Sequence, residues 1–475
     1  MRHGCIVVLD VGKTLAKVTM WSREGRLLDR RTRPNEAASA EGYACLDAAG
    51  IAAWLEDVLK SFSRIGEIAA IVPVGHGAAA CIVDENGLCV PPVDYEAELP
   101  PETRARYLAL RDPFALTGSP CLPAGLNLGT QLFWLDEIAP HAMRHGRIVT
   151  WAQYWAWLLS GVIATEISSL GTHTDLWVPG ENRPSPLAVS RGWAERLAPL
   201  RNASDVLSPV RKEWRARCDL PAGCLVYCGV HDSNAALFAA RMHKEMDERE
   251  FTVLSTGTWF VAMRMIKGKT DRITLPERRD CLVNVDVFGS PVPSARFMGG
   301  REVEAIEEPQ GDPIDPSAHA GTLLHRAAHA VEAGLFVLPS FQKGVGPFPD
   351  RTGHWLSTRP KDPFDRRAVA SLYLALMANA SLDLIGSAER LIVEGRFAAD
   401  PVFTRALAAL RPTQAVYLSR MQDTVPLGAL RLAGAELPQD SALERVEPLD
   451  LDLRAYAQRW NELAGQADFP LAAGV

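Results

Sequence analysis

No stretch of this 475-residue chain approaches the roughly 20 consecutive apolar residues that a membrane-spanning helix needs. Nor is there an excess of positive charge. The 57 acidic residues outnumber the 50 basic ones, giving a net charge of −7, and no basic amphipathic segment stands out. This excludes nucleic acid and a membrane surface as electrostatically recruited partners. No charged leader, apolar signal core or small-residue cleavage site precedes the first apolar run, so a cytoplasmic location is expected. The nine cysteines are an odd number and often lie inside apolar runs, and Cys218, Cys224 and Cys228 lack zinc-site spacing. They read as buried thiols. Short-period repeats and low-complexity segments are also missing. What is left is a globular composition, 47% hydrophobic and 23% charged, in a chain long enough for two domains.

Against that background, two short glycine turns stand out. Asp10-Val11-Gly12-Lys13-Thr14 follows the apolar run Cys5–Leu9, and Ser255-Thr256-Gly257-Thr258 follows Phe251–Leu254. Each leaves a β-type run and re-enters another, Ala16–Trp21 in the first case and Trp259–Met265 in the second. A tight hairpin of this kind directs backbone N–H groups and hydroxyls at one point, which suits a phosphate. Two such turns, each opening its half of the chain, point to a duplicated fold gripping a nucleotide.

The first half reads as a three-stranded meander, Cys5–Leu9, Ala16–Trp21 and Leu27–Thr32. A helix from about Ile51 to Phe62 and a strand Ile68–Val74 follow, and the strand runs into Gly75-His76-Gly77. That is the order of a ribonuclease-H-like unit. The second half begins alike, with a strand Cys224–Val230, a helix Asn234–Met242 and a hairpin around the second turn. Further on come a helix from about Arg366 to Leu391 and a strand ending at Glu394-Gly395. Trp151, Trp155 and Trp157 read as core. The expected domains are 1–224 and 225–475.

Several of these residues carry chemistry. Asp232 in Gly229-Val230-His231-Asp232-Ser233-Asn234 stands at a strand end before an apolar helix. It either caps that helix or accepts a hydroxyl proton during phosphoryl transfer. Asp10 is placed to hold Mg²⁺. Thr14, Thr256 and Thr258 offer hydroxyls, while Gly12 and Gly257 permit close backbone approach. Lys13 is either a phosphate contact or an exposed turn residue. His76 either bonds a sugar hydroxyl or is satisfied by backbone. Met298-Gly299-Gly300-Arg301 and Glu394-Gly395-Arg396 are either adenine-flanking turns or ordinary helix entries.

As an ordered set these motifs resemble the FGGY family of carbohydrate kinases, within the actin/Hsp70/hexokinase-like superfamily, over nearly the whole chain. The resemblance implies an α/β fold of two ribonuclease-H-like (actin-like ATPase) domains with a nucleotide and sugar cleft between them. It implies Asp232 as catalytic base, and Mg²⁺ at Asp10 and Asp232. ATP falls to Gly12, Lys13, Thr14, Thr256, Gly257, Thr258, Gly299, Gly300 and Gly395. The sugar falls to His76, Gln131, His231 and Ser233, with Leu128 to Leu135 matching the family's GTxxxWL helix start. Three departures concern sugar identity and adenine contacts. Gln131 replaces a common lysine, Val74-Gly75 replaces glutamine-methionine, and Asp400 stands where asparagine is usual in a segment short of glycine.

The expected activity is ATP-dependent phosphorylation of a ketose primary hydroxyl, the sugar being a 6-deoxyketohexose such as L-rhamnulose or L-fuculose. A pentulose or polyol kinase and a non-catalytic sugar sensor are the alternatives. The partners expected are a small sugar and ATP, with no nucleic acid and no membrane. The oligomeric state is left open, with a homodimer among the options.

Overall fold

The computed structural model describes residues 4–40, 42–246, 249–268, 273–308, 314–438 and 443–465. The chain divides into two compact units. One comprises Met1–Met242, Leu282–Val292 and Gln422–Gln439, the other His243–Cys281, Pro293–Met421 and Asp440–Val475. Residue 224 lies inside the first unit, because the segment after it still contributes strands and a helix to that unit.

In the first unit, β1 (Cys5–Val11), β2 (Leu15–Trp21) and β3 (Leu27–Pro34) form an antiparallel meander. The helix α1 (Ala48–Phe62) starts earlier than the apolar spacing suggests, because the Asp47 carboxylate caps it by accepting the Gly50 N–H at 2.8 Å. β4 (Ile68–Gly75) returns parallel to β1. β5 (Val206–Pro209) and β6 (Leu225–Tyr227) complete the order β5-β6-β4-β1-β2-β3, and the short β7 (Val230–His231) pairs with the end of β4.

The sheet is covered on both faces. Ile6 and Val8 pack into one cluster with Ala429 and Leu430, while Val7, Leu9 and Val11 pack into another with Leu55, Leu59 and Trp155. Double coverage is why β1 and β4 read as unbroken apolar runs. Trp151, Trp155 and Trp157 lie on α3 (Trp151–Ser160; α2 is Leu128–Ile138) and are buried, as expected for core residues.

The single strand expected over Cys224–Val230 is broken in two. Gly229 takes φ +83° and passes so close to β4 that a Cβ there would lie 2.3 Å from the Pro73 carbonyl oxygen. The kink returns the chain to β4 as β7 and launches α4 (Asp232–Ala240). The helix Thr424–Leu432 crosses α4 at Gly428, where a Cβ would stand 1.9 Å from the Ala235 carbonyl oxygen. Gly428→Ala must therefore displace backbone, and we expect it to destabilise the protein by about 1–3 kcal/mol. A lowered urea midpoint is the measurement that checks this.

The second unit repeats the same path. β8 (Phe251–Thr256), β9 (Phe260–Met265) and β10 (Pro291–Phe297) form a meander. β11 (Arg390–Gly395) and β12 (Ala415–Leu418) follow in parallel, and β13 (Glu444–Arg445) is antiparallel at the end. Their order, β10-β9-β8-β11-β12-β13, matches the first unit's order read from its meander. Both halves thus carry the ribonuclease-H-like sheet. The helices used below are α5 (Gly299–Glu307), α6 (Pro363–Leu384) and α7 (Pro401–Leu410). α6 ends short of the expected Leu391, because Gly386 turns left-handed at φ +67° and closes the helix before β11.

Among the described residues no helix is long and apolar enough to cross a membrane, and no two cysteines form a disulfide.

Candidate active site

Strand register assembles the first group of residues. Val11 pairs with Gly75, and Gly75 with His231, so three parallel strands end side by side. Asp10, His76 and Asp232 leave those adjacent ends, although 222 residues separate the outermost pair by simple subtraction of their numbers. The carboxyl ends of parallel strands are where an open α/β sheet offers a ligand crevice.

Asp10 faces Lys17 across the β1–β2 hairpin, with the Lys17 ammonium 3.4 Å from its Oδ2. Burial pushes the Asp10 carboxyl up to about 6; Lys17 pulls it down, and the neighbouring Asp232 carboxylate adds to the rise. Burial likewise raises Asp232 to about 6, opposed by the hydrogen bonds from Ser233. Those bonds, from the Ser233 N–H at 2.5 Å and its hydroxyl at 3.1 Å, both go to Oδ1. The His231 Nε2 lies 3.2 Å from the same oxygen. Of the two residues expected at the sugar beside it, Ser233 hydrogen-bonds Asp232 and His231 lies against the same oxygen.

His76 is arranged differently. Its Nδ1 accepts the Ala78 N–H at 3.2 Å, so the proton sits on Nε2, a buried atom with no partner among the described residues. Burial holds this imidazole neutral, down at about 3, helped by His231, Lys13 and His173 nearby. The Tyr95 and Trp151 rings flank it at 5.5 and 5.9 Å. Gly77 keeps the space open, since a Cβ there would meet Thr172 Cγ2 at 2.6 Å and His231 Nε2 at 2.9 Å. A buried, neutral donor without a partner is what a hydroxyl-bearing ligand would satisfy.

Two residues expected at ligands are engaged elsewhere. The Lys13 ammonium is bound by Asp94, with Glu96 at 3.7 Å, and lies over the Tyr95 ring. The Gln131 amide is fully buried. It donates to the carbonyls of Ala78 (2.9 Å) and Gly125 (2.6 Å) and accepts from the Ala80 N–H. Gln131 therefore holds the segment behind His76. Thr14 is exposed at the turn, where the Gly12 N–H bonds the Leu15 carbonyl at 3.1 Å.

The second unit gathers its own group. Gly257 closes the β8–β9 turn by bonding the Trp259 carbonyl at 3.0 Å, and the Gly300 N–H reaches the Thr258 carbonyl at 3.2 Å. Gly300 fits only as glycine, since a Cβ would lie 2.7 Å from the Gly257 oxygen. The N-terminus of α5 therefore lies directly on the turn. Gly395, at φ +86°, passes the Thr256 carbonyl, where a Cβ would stand 2.2 Å from the oxygen. The Thr256 hydroxyl is used internally, donating to the Glu394 carbonyl at 2.5 Å and accepting the Phe397 N–H at 3.0 Å. Thr258 is the exposed hydroxyl of this turn. Thr256, Gly257, Thr258, Gly299, Gly300 and Gly395 thus meet at one place in the second unit.

The chemistry of Asp10 and Asp232 fits Mg²⁺ arriving with a nucleotide. Both are hard oxygen donors, and no donor in the described residues reaches Asp232 Oδ2. Among the described residues no cluster of three or more His, Cys, Asp or Glu side chains forms a cage for a resident metal. Two carboxylates completed by phosphate oxygens and water are typical of Mg²⁺.

A crystal structure of a carbohydrate kinase from Novosphingobium aromaticivorans superposes with a TM-score of 0.92. It is 47% identical over 96% of this chain and 100% of that one. Residues 248–441 match the family description "Carbohydrate kinase FGGY, C-terminal domain". This chain belongs to the FGGY carbohydrate kinases. L-fuculokinase of Salmonella typhi is 26% identical to this family member over 297 residues. That match spans 58% of this chain and 60% of the relative's length. Xylulose kinase from Rhodospirillum rubrum shares the fold, with a TM-score of 0.74 at 20% identity over 97% of both chains.

For an FGGY kinase, this site also includes residues that sequence reasoning missed: Lys17, Asp94, Tyr95, Thr172 and His173. Lys17 was within reach, because a two-residue turn at Lys13-Thr14 pairs Asp10 with Lys17. The others sit on segments that no periodicity links to the glycine turns.

Proposed function

We propose that this chain is an ATP-dependent kinase that phosphorylates a primary hydroxyl of a ketose. The observation that carries this reading is that His76, a neutral donor without a partner among the described residues, and Asp232, a carboxylate with one unengaged oxygen, leave adjacent strand ends. In this reading His76 bonds a sugar hydroxyl. Asp232 Oδ2 accepts the proton of the reacting hydroxyl, whose oxygen bonds to the γ-phosphorus as the bond to the bridging oxygen breaks and ADP leaves. Mg²⁺, held by Asp10 and Asp232, would neutralise phosphate charge. In the second unit, the turn at Gly257-Thr258, with Gly300 and Gly395 behind it, would cradle nucleotide phosphate.

The substrate class we propose is a 6-deoxyketohexose such as L-fuculose or L-rhamnulose. The similarity to L-fuculokinase supports it, as does the His-Asp-Ser form of residues 231–233. The test is sugar-dependent ADP release from Mg-ATP across L-fuculose, L-rhamnulose, D-xylulose, D- and L-ribulose and glycerol. Preference for a pentulose or glycerol would replace the 6-deoxy assignment. ATP binding without release on any sugar would favour a sensor.

Two further expectations arise here. His76→Phe removes one hydrogen bond to the sugar, so the sugar KM should rise about 2- to 10-fold. A steady-state titration checks it. Asp232 must be ionised to act, and its carboxyl lies near 6. kcat/KM should thus be half-maximal near pH 6, approach its plateau above about pH 7 and fall as the pH drops, which is its acid limb. Stability of the ligand-free protein runs the other way. The folded state holds these protons more tightly, so the contribution of Asp10 and Asp232 is greatest below about pH 4 and is lost as pH rises through about 6.

A further inference from the structure

We propose that His231 is a positioning residue, which with Asn234 behind it fixes the Asp232 carboxylate so that only Oδ2 faces the reacting hydroxyl. The inference rests on Asp232 being the base. Two hydrogen bonds reach Oδ1, from the Ser233 N–H at 2.5 Å and the Ser233 hydroxyl at 3.1 Å, and the His231 Nε2 lies 3.2 Å from the same oxygen, not aligned as a hydrogen bond in the ligand-free protein. Both bonds come from the residue next in sequence and move with Asp232. His231, on β7 and 6% exposed, is the one anchored in the sheet.

The tautomer follows from the next contact. The Asn234 Nδ2 lies 3.1 Å from His231 Nδ1, one turn along α4, and Asn234 is 1% exposed. If the amide donates, Nδ1 accepts and the imidazole proton sits on Nε2, the nitrogen beside Asp232 Oδ1. The reverse arrangement would place the proton on Nδ1 and set the Nε2 lone pair against a carboxylate oxygen, a repulsive contact. The cost of the working arrangement is visible, because Asn234 Oδ1 is buried with no partner among the described residues. Asparagine is also among the poorer helix formers.

The experiment compares the full-length wild type with His231→Leu, His231→Gln, Asn234→Ala and Asp232→Asn. Each is assayed with Mg-ATP and the sugar giving the fastest wild-type turnover. His231→Leu should lose about 10- to 100-fold in kcat, the worth of one hydrogen bond to a charged group, with the sugar KM within about threefold. His231→Gln carries an N–H at the position of Nε2 and should recover most of that kcat. Asn234→Ala should lower kcat about 3- to 10-fold with KM held, and this outcome is available even if His231→Leu does not fold. Unchanged kcat with a raised sugar KM in His231→Leu would make His231 a sugar contact and overturn the proposal. Equal losses in the Gln and Leu variants, or wild-type kcat in Asn234→Ala, would overturn it too. An active Asp232→Asn enzyme would instead bring down the base assignment itself.

Discussion

Asp232→Asn is expected to lower kcat for sugar phosphorylation by about 10²- to 10⁴-fold, the usual worth of a general base. Nucleotide affinity measured without Mg²⁺ should change little, because the turn we propose for nucleotide, Gly257-Thr258, belongs to the other unit. The isostere keeps one acceptor for the Ser233 N–H, and its amide N–H₂ sits where Oδ2 would have taken the proton. An Asp232 that only capped α4 would lose little on this change, since asparagine caps as well as aspartate. The structure already weakens that reading. Asp232 is the first residue of α4 and bonds Ser233, while no bond from it reaches deeper into the first turn. The measurement is coupled ADP release with and without sugar, beside a nucleotide-binding titration. If release continues regardless of both sugar and mutation, the chain is a sugar-independent ATPase and the base lies elsewhere.

Much of this site was legible because it is written in strand ends. An apolar run followed by Asp, Gly and Thr marks a sheet buried on both faces that surfaces at a turn, and β1 and β8 behave that way. Glycines at 75, 77, 300 and 395 were informative for the same reason, since each stands where a Cβ would meet backbone or a site side chain. Side-chain direction was not legible. Lys13, read as a phosphate contact or a bland turn residue, is bound by Asp94, eighty-one positions away. Gln131 lies on the expected helix but spends its amide on the backbone of residues 78, 80 and 125. Thr256 turns its hydroxyl inward to hold the end of β11. In all three cases the side chain has a partner far away in sequence, which the residue type alone does not reveal. Helix limits failed differently. A single left-handed glycine, Gly386, ended α6 where the apolar pattern continued.

Arg367→Met should destabilise the protein by about 3–5 kcal/mol, the cost of leaving buried carboxylates without their cation. Arg367 is 5% exposed on α6 and joins two acids, Glu307 at 2.9 Å at the end of α5 and Asp400 at 2.8 Å. Asp400 is fully buried and spends all its acceptor capacity within the protein. Its Oδ1 caps α7 through the N–H groups of Val402 (3.0 Å) and Phe403 (3.1 Å), and its Oδ2 takes Arg367 and the Ser371 hydroxyl. Where many relatives place asparagine, this chain has an aspartate paired with a buried arginine. Asp400 therefore has a structural role, as helix cap and partner of Arg367. The segment between Gly395 and Asp400 is held at one end by Thr256 and at the other by Arg367, so loosening Arg367 frees the region behind the second glycine turn. Urea unfolding of the ligand-free protein should show the lowered midpoint. Adding Asp400→Asn to Arg367→Met should return part of the loss, because it removes the uncompensated charge and keeps the cap. A loss below about 1 kcal/mol for Arg367→Met would place this network with surface ion pairs and remove it as the support of the nucleotide-side turn.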